Sequence, residues 1–298
     1  MMVKYRWTAD DMPSLEGRTV VVTGASSGVG AATAAAFTRA GAHVILAVRD
    51  TQRGQAAARS LDGSTEVREL DLADLSSIRT FAQAWEGPLD ILVNNAGVAG
   101  LRGARTKDGF DLQFGTNHLG HFALTNLLLP HLTDRVVTVA SGAHRAGEIH
   151  FDDLALRQRR YGFAASYGQS KLANLLFTLE LERRLRQAGS SVRSLASHPG
   201  YAATKLGTQG QPRALVAAAK AAGRLFAQTS EHAALPTLYA ATHDLPGASY
   251  IGPDGRGELR GSPTLVGRSA EASDLTVARR LWEVSEELTG IGFGLDVE

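Results

Sequence analysis

Residues 19–30 read TVVVTGASSGVG, and this stretch decides the fold. Its β-branched run, Val20–Val22, predicts a buried strand, and the small residues after the glycines predict a helix. A strand, a glycine loop and a helix N-terminus in this order form an anion site, because bare backbone and the helix dipole meet a pyrophosphate there. The sequence therefore predicts a phosphate-binding turn between the first strand and the first helix.

The three glycines of this loop have separate expected tasks. Gly24 permits a tight turn, Gly28 allows a phosphate to approach, and Gly30 allows the helix to pack closely on the sheet. Ala31 and Ala32 stand where a P-loop needs Lys and then Ser or Thr. The loop is therefore not a P-loop.

The 298 residues have the composition of an ordinary enzyme, with 44% hydrophobic residues, 20% charged residues and a net charge of +1. This balance requires neither a nucleic acid nor a membrane surface as partner. There is no cysteine, and His118 and His121 lack a third ligand at a suitable spacing, so no metal is expected. No stretch reaches the ~20 apolar residues of a membrane span, and the amino terminus lacks a signal-peptide core. We expect a cytoplasmic protein without a membrane anchor.

Apolar strand segments alternate with helical segments along the chain. The predicted strands are 19–23, 42–48, 65–70, 88–93, 135–140, 191–197 and a short one near 249–251. The predicted helices are 28–40, 51–60, 74–85, 109–132, 167–187, 231–243 and 272–289. This alternation produces right-handed βαβ crossovers, and therefore an α/β fold with a parallel sheet covered on both faces. We predict a single domain, 1–298, in which 201–230 form an insertion beyond the carboxyl ends of the strands.

Tyr167 and Lys171 lie four positions apart at the start of a helical run, YGQSKLANLLFTLELERRL. This spacing places both side chains on one helical face, with the ammonium near the phenol oxygen. A nearby cation lowers the pKa of a tyrosine from its usual value of about 10, which suits the phenol for proton exchange with an alcohol or carbonyl oxygen. Such pairs are also common on exposed helix surfaces, so the pair alone does not distinguish a catalytic pair from two solvent-exposed side chains.

Two further polar residues favour the chemical interpretation. Ser141 ends the apolar strand RVVTVAS at the carboxyl edge of the sheet, where its hydroxyl can bond a reacting oxygen. Asn117 lies in the helical segment FDLQFGTNHLGHFALT, where its amide either satisfies backbone groups or holds a water. The sequence leaves both roles of Asn117 open.

The fourth strand, LDILVNNAG, ends in Asn94, Asn95, Ala96 and Gly97. The two amides either form a turn or, at the edge of a cofactor cleft, hold neighbouring strands and a ribose in place. The segment alone does not choose between these interpretations.

If the glycine loop binds a nicotinamide dinucleotide, the end of the second strand predicts which one. An acidic residue there binds the ribose hydroxyls of NAD, whereas an arginine accommodates the extra phosphate of NADP. In AHVILAVRD the strand ends at Val48, and Arg49 follows it. We therefore predict NADP(H) over NAD(H), with Arg49 as the phosphate partner. The competing interpretation is a solvated loop arginine paired with Asp50.

In this order, TGASSGVG, NNAG, Asn117, Ser141, YGQSK and HPGYAAT closely resemble the short-chain dehydrogenase/reductase family. The resemblance runs from about residue 17 to about residue 250. It implies an NAD(P)-dependent oxidoreductase on a doubly wound, Rossmann-type sheet of about seven strands. It also implies a catalytic tetrad of Asn117, Ser141, Tyr167 and Lys171.

The resemblance implies a role for each member of the tetrad. Tyr167 is the acid/base, and Ser141 positions and stabilises the substrate oxygen. Lys171 holds the nicotinamide ribose and lowers the Tyr167 pKa. Asn117 supports a water relay to bulk solvent.

Further cofactor contacts follow from the same resemblance. Asp71 and Leu72 match the pair that contacts the adenine, although Asp71 could also cap the next helix, a task for which Asp74 is better placed. Residues 199–204 match the segment that cradles the nicotinamide and its carboxamide. The full predicted cofactor-binding set is Gly24, Ser26, Ser27, Gly28, Val29, Gly30, Arg49, Asp71, Leu72, Asn94, Asn95, Ala96, Gly97, Tyr167, Lys171, Pro199, Gly200, Tyr201 and Thr204.

Within the family, three features look most like the retinol dehydrogenase and protochlorophyllide reductase branch, and like actinobacterial oxidoreductases. They are the segment VILAVRD, the 25 residues between Ser141 and Tyr167, and the run SKLANLLFTLELERRL. Many family members have a shorter serine-to-tyrosine interval, so the extra length predicts an insertion at 145–166 beside the substrate mouth. Unlike the membrane-anchored retinol enzymes, this chain has no apolar amino-terminal segment.

These features predict an NADP(H)-dependent oxidoreductase that transfers a hydride between nicotinamide and an apolar alcohol or carbonyl substrate. The alternative is a non-catalytic NADP-binding regulator or scaffold, which is disfavoured because such relatives typically lose the Tyr or the Lys. A sugar-nucleotide epimerase is disfavoured by the glycine spacing. The leucine stripe of the 167–187 helix predicts either core packing or a homodimer interface.

Overall fold

The computed structural model describes residues 6–100, 103–154, 163–201 and 228–295. The strands are β1 Thr19–Thr23, β2 His43–Val48, β3 Thr65–Glu69, β4 Leu89–Asn94, β5 Leu132–Val139, β6 Arg193–Ser197, β7 Tyr250–Pro253 and β8 Pro263–Leu265. The helices are α1 Gly28–Arg39, α2 Thr51–Ala58, α3 Leu75–Gln83, α4 Leu112–Phe114, α5 Gly120–Leu128, α6 Phe163–Gln187, α7 Ser230–Thr242 and α8 Leu275–Thr289. A π-helical segment, Gly115–Leu119, joins α4 to α5, and a 3-10 segment, Gly142–Ala146, follows β5.

The described strands form one sheet in the order β3-β2-β1-β4-β5-β6-β7-β8. Strands β1 to β7 run parallel, which confirms the doubly wound, Rossmann-type α/β fold. The chain moves outwards from β1 to β3 and returns to β4 on the other side. The carboxyl ends of β1 and β4 therefore flank the crevice where ligands bind in such sheets.

The outermost strand, β8, pairs antiparallel with β7. It is not among the predicted strands, because its three residues are too few to show a period. β3 forms the opposite edge of the described sheet. The parallel sheet predicted from the sequence thus has one additional, reversed strand.

Both faces of the sheet are buried, as the near-continuous apolar strands predict. Val20 and Val22 of β1 pack into one core cluster, and Val21 packs into another on the opposite face. α1 and α7 pack together on the first face, and α6 and α8 pack together on the second. Burying a valine side chain completely stabilises the fold by about 1.5–3 kcal/mol. The helix layers on both faces therefore stabilise each central strand.

α8 packs across α5 and α6. The Trp282 ring centroid lies 4.8 Å from that of Phe122 and 5.7 Å from that of Phe177. Leu172 and Leu175 of the α6 stripe are fully buried within a cluster that includes Leu281 of α8. Core packing is therefore the interpretation of the leucine stripe that the structure supports.

The helix ends follow their sequence signals. The Asp50 carboxylate accepts from the Arg53 N–H to cap α2, and the Asp74 carboxylate accepts from the Ser76 N–H to cap α3. Gly41, just after α1, has φ +93°, which a glycine adopts without strain. None of the helices in the described ranges combines the length and apolarity needed to cross a bilayer.

Candidate active site

The glycine loop joins β1 to α1 at the crevice. Gly24 and Gly28 have φ angles of +68° and +61°, in the left-handed region that favours glycine. A Cβ on Gly30 would lie 2.6 Å from the Gly24 carbonyl oxygen, so the helix approaches the turn only because no side chain is there. Ser27 precedes α1, and its side chain makes no capping hydrogen bond. The Ser27 hydroxyl therefore does not accept from the N–H groups in the first turn of α1. Those N–H groups are suited to bind a phosphate.

The end of β4 closes against the same loop. A Cβ on Gly24 would lie 3.0 Å from the Ala96 Cα. The Asn95 side-chain amide donates to the Thr23 carbonyl oxygen at 2.8 Å and so ties β4 to β1. Holding neighbouring strands together is one of the two roles predicted for these amides.

Asn94 faces the core. Its Nδ2 donates to the Thr125 Oγ1 at 2.9 Å, and the residue is only 1% exposed. The side chain is thus bonded within the core, and the cofactor contact of Asn94 stays a prediction.

Asn117 lies fully buried in the π-helical segment. Its Oδ1 accepts from the Val98 N–H at 2.8 Å, and its Nδ2 donates to the Val98 carbonyl and to the Ser170 Oγ, each at 3.0 Å. The amide thus satisfies the backbone that follows β4, which is one of the two roles left open by the sequence. A π-helical turn often marks a functional site, because it re-aims a residue within a helix.

Ser141 and Tyr167 meet at the carboxyl end of β5. The Ser141 hydroxyl oxygen accepts from the Ala143 N–H at 3.2 Å, and the Ser141 side chain hydrogen-bonds with Tyr167. Burial of the phenol oxygen raises the pKa of Tyr167 to about 12, and the hydrogen bond with Ser141 opposes that rise. The predicted lowering of the phenol pKa is therefore wrong for this structure.

The position of Lys171 explains the difference. Its Nζ lies 5.7 Å from the centroid of the Tyr167 ring and donates to the Val139 carbonyl at 2.9 Å, a carbonyl that also accepts from Asn174 Nδ2 at 3.2 Å. Burial lowers the pKa of Lys171 to about 8. The two side chains share a helical face, as predicted, but the Lys171 ammonium donates to the Val139 carbonyl at the end of β5 and not to the phenol oxygen.

Two glycines bring the 3-10 segment against the start of α6. A Cβ on Gly147 would lie 2.5 Å from the Gly168 carbonyl carbon, and a Cβ on Gly168 would lie 3.0 Å from the Ala143 carbonyl oxygen. Backbone therefore packs directly on backbone beside Ser141 and Tyr167. This contact sets the separation between the two hydroxyl-bearing residues.

Arg49 lies exposed after β2. Among the described residues its guanidinium has no ion-pair or hydrogen-bond partner, and the Asp50 carboxylate caps α2. The predicted alternative, an Arg49–Asp50 pair, is therefore not present. Asp71 accepts from the Ala73 N–H at 2.9 Å and Leu72 is buried, so their contact with an adenine stays a prediction.

The predicted nicotinamide segment follows β6. Gly200 has φ +68°, Tyr201 is 47% exposed, and the Gln228 side-chain amide donates to the Pro199 carbonyl at 3.0 Å. Thr204 lies outside the described residues. So do 202–227 and 155–162, which contain most of one predicted insertion and part of the other.

A cavity of about 1200 Å³ lies beside this segment, with Gln228, Trp7 and Leu259 in its wall. None of the four tetrad residues lines it. The cavity is therefore separate from the hydroxyl pair at the end of β5.

The sequence model of the short chain dehydrogenase family matches residues 18–215. The chain belongs to this family. Human retinol dehydrogenase 13 is 43% identical over 294 residues, which cover 93% of this chain and 86% of that protein. This similarity assigns the chain to the retinol dehydrogenase-like branch of the short-chain dehydrogenases.

Solved structures agree with the family assignment. The crystal structure of an uncharacterised protein from Mycobacterium paratuberculosis is 54% identical, with a TM-score of 0.86, and the match covers 98% of this chain and 100% of that one. A Pseudomonas aeruginosa RhlG/NADP complex is 26% identical, with a TM-score of 0.65, over 83% of this chain and 98% of that one. This short-chain dehydrogenase is therefore an oxidoreductase with a nicotinamide cofactor.

The residues present fit a nicotinamide dinucleotide. The glycine loop leaves bare backbone and a helix N-terminus at the crevice, as described above. A Cβ on Gly97 would lie 3.4 Å from the Asn117 Oδ1 and 3.7 Å from the Lys171 Nζ, so the glycine leaves the ammonium accessible from that side. Arg49, at the end of β2, has no partner among the residues that the structure describes.

Three residues of the site are not singled out by the sequence. The Thr23 hydroxyl accepts from the backbone N–H groups of Asn95 and Ala96, each at 2.9 Å, and Asn174 shares the Val139 carbonyl with Lys171. His121 bonds both Thr23 and Asn117. Asn174 lies three residues after Lys171 and seven after Tyr167, on the same helical face, which is a usable signal. Thr23 and His121 are brought together only by the fold.

Proposed function

We propose that this short-chain dehydrogenase is an NADP(H)-dependent alcohol dehydrogenase or carbonyl reductase in which Tyr167 exchanges the substrate proton. The observation that carries the proposal is the meeting of Ser141, Tyr167 and the buried Lys171 at the carboxyl end of β5. A phenol hydrogen-bonded to a serine, with an ammonium beneath its ring, is an arrangement for proton transfer and not a solvated surface pair.

The nicotinamide supplies or accepts the hydride when it is bound. The Ser141 hydroxyl bonds and orients the substrate oxygen, and the Tyr167 hydroxyl gives that oxygen a proton during reduction. A pKa of about 12 keeps the phenol protonated at neutral pH, which is the acid form that reduction requires. Lys171 and Asn174 hold the end of β5 through the Val139 carbonyl, so the strand that carries Ser141 keeps its position.

The preference for NADP(H) rests on Arg49. An exposed guanidinium at the end of the second strand, with no partner in the described part of the chain, is suited to pair with the ribose phosphate. The similarity to a protein solved with NADP supports the same choice. We expect Arg49→Glu to reverse the preference between NADPH and NADH, measured as the ratio of their kcat/KM values. Arg59→Glu, at another exposed position near the end of α2, is the matched charge control, and a ratio unchanged in Arg49→Glu contradicts the assignment.

An apolar alcohol, aldehyde or ketone is the proposed substrate. Support comes from a relative named retinol dehydrogenase that is 43% identical over most of the chain. The test is a panel of apolar and polar carbonyl compounds, retinal included, assayed with NADPH against Tyr167→Phe. Turnover that requires Tyr167 and favours apolar compounds supports the proposal. Binding of NADPH without any Tyr167-dependent turnover favours the regulator or scaffold instead.

Three further expectations stay predictions. They are a cytoplasmic location, a homodimer and a water relay through Asn117. The relay requires a water at the backbone or side chain of this residue, and protein groups already take both N–H donors of the side-chain amide and one acceptor position of its Oδ1.

A further inference from the structure

His121 lies in α5, four residues beyond Asn117, and is 1% exposed. Both of its ring nitrogens are bonded: Nδ1 lies 3.0 Å from the Asn117 carbonyl oxygen and Nε2 lies 2.9 Å from the Thr23 Oγ1. His118, on the same helical stretch, bonds Ser285 through its Nε2 and takes no part in this contact. His121 therefore lies between the end of β1 and the tetrad asparagine.

The hydrogen bonds of Thr23 fix the state of this ring. A hydroxyl accepts two hydrogen bonds and donates one. The Thr23 Oγ1 accepts from the N–H groups of Asn95 and Ala96, each at 2.9 Å, and the Asn95 N–H is shared with the Val93 carbonyl at 3.0 Å, so both acceptor positions of the hydroxyl are occupied. Its single proton has two possible acceptors, the His121 Nε2 at 2.9 Å and the Val93 carbonyl at 3.3 Å. The nearer acceptor is the histidine, and Nε2 is then the unprotonated nitrogen.

The other ring nitrogen must donate, because a carbonyl oxygen only accepts. His121 is therefore neutral, with its proton on Nδ1. A charged ring would place a second N–H against a threonine oxygen whose acceptor positions are full. Burial also lowers the pKa of His121 to about 4, and the Lys171 ammonium acts in the same direction.

We propose that His121 is a positioning residue for the reaction, which fixes the Asn117 carbonyl relative to the end of β1. This inference rests on the proposed function, because it assigns Asn117 to the tetrad. The side-chain amide of Asn117 is held by Val98 and Ser170, and His121 holds the main chain of the same residue within the π-helical turn. Thr23 directly precedes Gly24, so the ring connects the start of the glycine loop to the tetrad.

Two substitutions separate the two bonds of the ring. In His121→Asn the amide nitrogen can occupy the Nδ1 position and keep the bond to the Asn117 carbonyl. In His121→Gln the longer side chain reaches the Nε2 position, which keeps the contact with Thr23 and loses the donor to Asn117. His118→Asn removes another buried histidine with one hydrogen bond and serves as the control for stability.

We expect His121→Gln to lower kcat by about tenfold, the size of one lost positioning hydrogen bond, while KM for NADPH changes by less than about twofold. We expect His121→Asn to stay within about threefold of the wild type. His118→Asn shifts Tm by a similar amount but keeps kcat. Equal losses of kcat in the two His121 variants, or losses that follow Tm as in His118→Asn, overturn the proposal.

A second measurement does not depend on turnover. Nitrogen-15 NMR of histidine-labelled protein distinguishes the two neutral tautomers from the imidazolium, and the His121→Gln spectrum assigns the signal. We expect the Nδ1–H tautomer at neutral pH and at about pH 6. An Nε2–H tautomer, or a ring that gains a proton near the ordinary histidine pKa, overturns the assignment. If the wild type reduces no carbonyl compound, the proposed function fails, and the tautomer alone decides whether His121 holds the Asn117 carbonyl.

Discussion

The phenol of Tyr167 experiences two opposing influences. Burial disfavours the charged phenolate, and the hydrogen bond with Ser141 favours it. Burial dominates because the ammonium of Lys171 bonds the Val139 carbonyl instead of the phenol oxygen. In the proposed mechanism, a protonated phenol at neutral pH suits reduction of a carbonyl better than oxidation of an alcohol.

This protonation state predicts a difference between the two reaction directions. In the proposed reaction, reduction with NADPH uses the protonated phenol and needs no alkaline medium. Oxidation with NADP⁺ needs the phenolate, whose fraction rises about tenfold for each pH unit below the pKa. We expect kcat/KM for oxidation to rise steeply between about pH 7 and about pH 9. A plateau of the oxidation rate below about pH 8 would show that the phenol ionises near neutrality.

Lys171 is expected to lower the stability of the fold at neutral pH. The pKa of Lys171 in the folded protein is about 8, below the ordinary value of 10.5. The buried ammonium therefore destabilises the folded state fully below pH 8, and this destabilisation disappears as the pH rises towards 10.5. Lys171→Met removes this charge, and the Val139 carbonyl keeps its bond from Asn174. We expect a gain of about 2 kcal/mol at pH 7 after the lost hydrogen bond is counted, together with loss of turnover.

Urea unfolding at two pH values tests this prediction. The gain in free energy of unfolding should shrink when the wild type and Lys171→Met are compared at about pH 9.5 instead of about pH 7. Lys107 is an exposed lysine, so Lys107→Met is the control and should show no such gain. A Lys171→Met variant less stable than the wild type at neutral pH contradicts the expectation.

At the level of the elements, the contact between the 3-10 segment and the start of α6 sets the geometry of the proposed Ser141–Tyr167 pair. Gly147 and Gly168 let the two backbones touch, and Ser141 and Tyr167 stand at either side of that contact. The predicted insertion at 145–166 thus begins with a tight backbone contact. Ser141 and Tyr167 can lie close together despite the 25 residues between them, because the contact of Gly147 with Gly168 brings the two ends of that interval together.

Gly147→Ala tests that contact. Its Cβ would lie 2.5 Å from the Gly168 carbonyl carbon, so the 3-10 segment must move away from α6. We expect a loss of about 1–3 kcal/mol in stability and a fall in kcat, while NADPH affinity stays unchanged because the glycine loop lies elsewhere. Gly142→Ala is the matched control in the same segment, since its Cβ meets no atom of the described residues within 4 Å. Equal kcat values for the two variants would contradict the role of the contact.

At the scale of the whole molecule, the predicted order of strands and helices is confirmed across the described chain. β-branched runs such as Val20–Val22 are buried on both faces, so their pattern leaves few alternatives to a central parallel strand. The sequence does not predict β8, the π-helical turn at Asn117 or the state of the Tyr167 phenol. Each of these depends on packing between distant segments: His121 and Thr23 lie 98 positions apart. Local spacing carries no information about such contacts.

Cofactor binding is expected to stabilise the whole chain, because the predicted site collects the ends of several strands. A ligand at 100 times its Kd adds about 2.7 kcal/mol to the free energy of unfolding, which corresponds to a Tm shift of about 4 °C for a chain of this length. We expect saturating NADPH to produce such a shift in a thermal melt. In Arg49→Glu the shift with NADPH should shrink while the shift with NADH persists. The absence of any shift in the wild type contradicts the predicted site.

The two borders of the described sheet differ from its interior. β3 reads TEVRE and carries an ion pair between Glu66 and Arg68, and β8 has only three residues and begins with Pro263, which has no N–H to donate. Charged or very short outer strands offer a poor template for another chain to extend. At high protein concentration, these outer strands therefore disfavour edge-to-edge pairing between molecules. A variant with valine in place of Glu66 and Arg68 would lose this protection at β3 and would form fibres more readily.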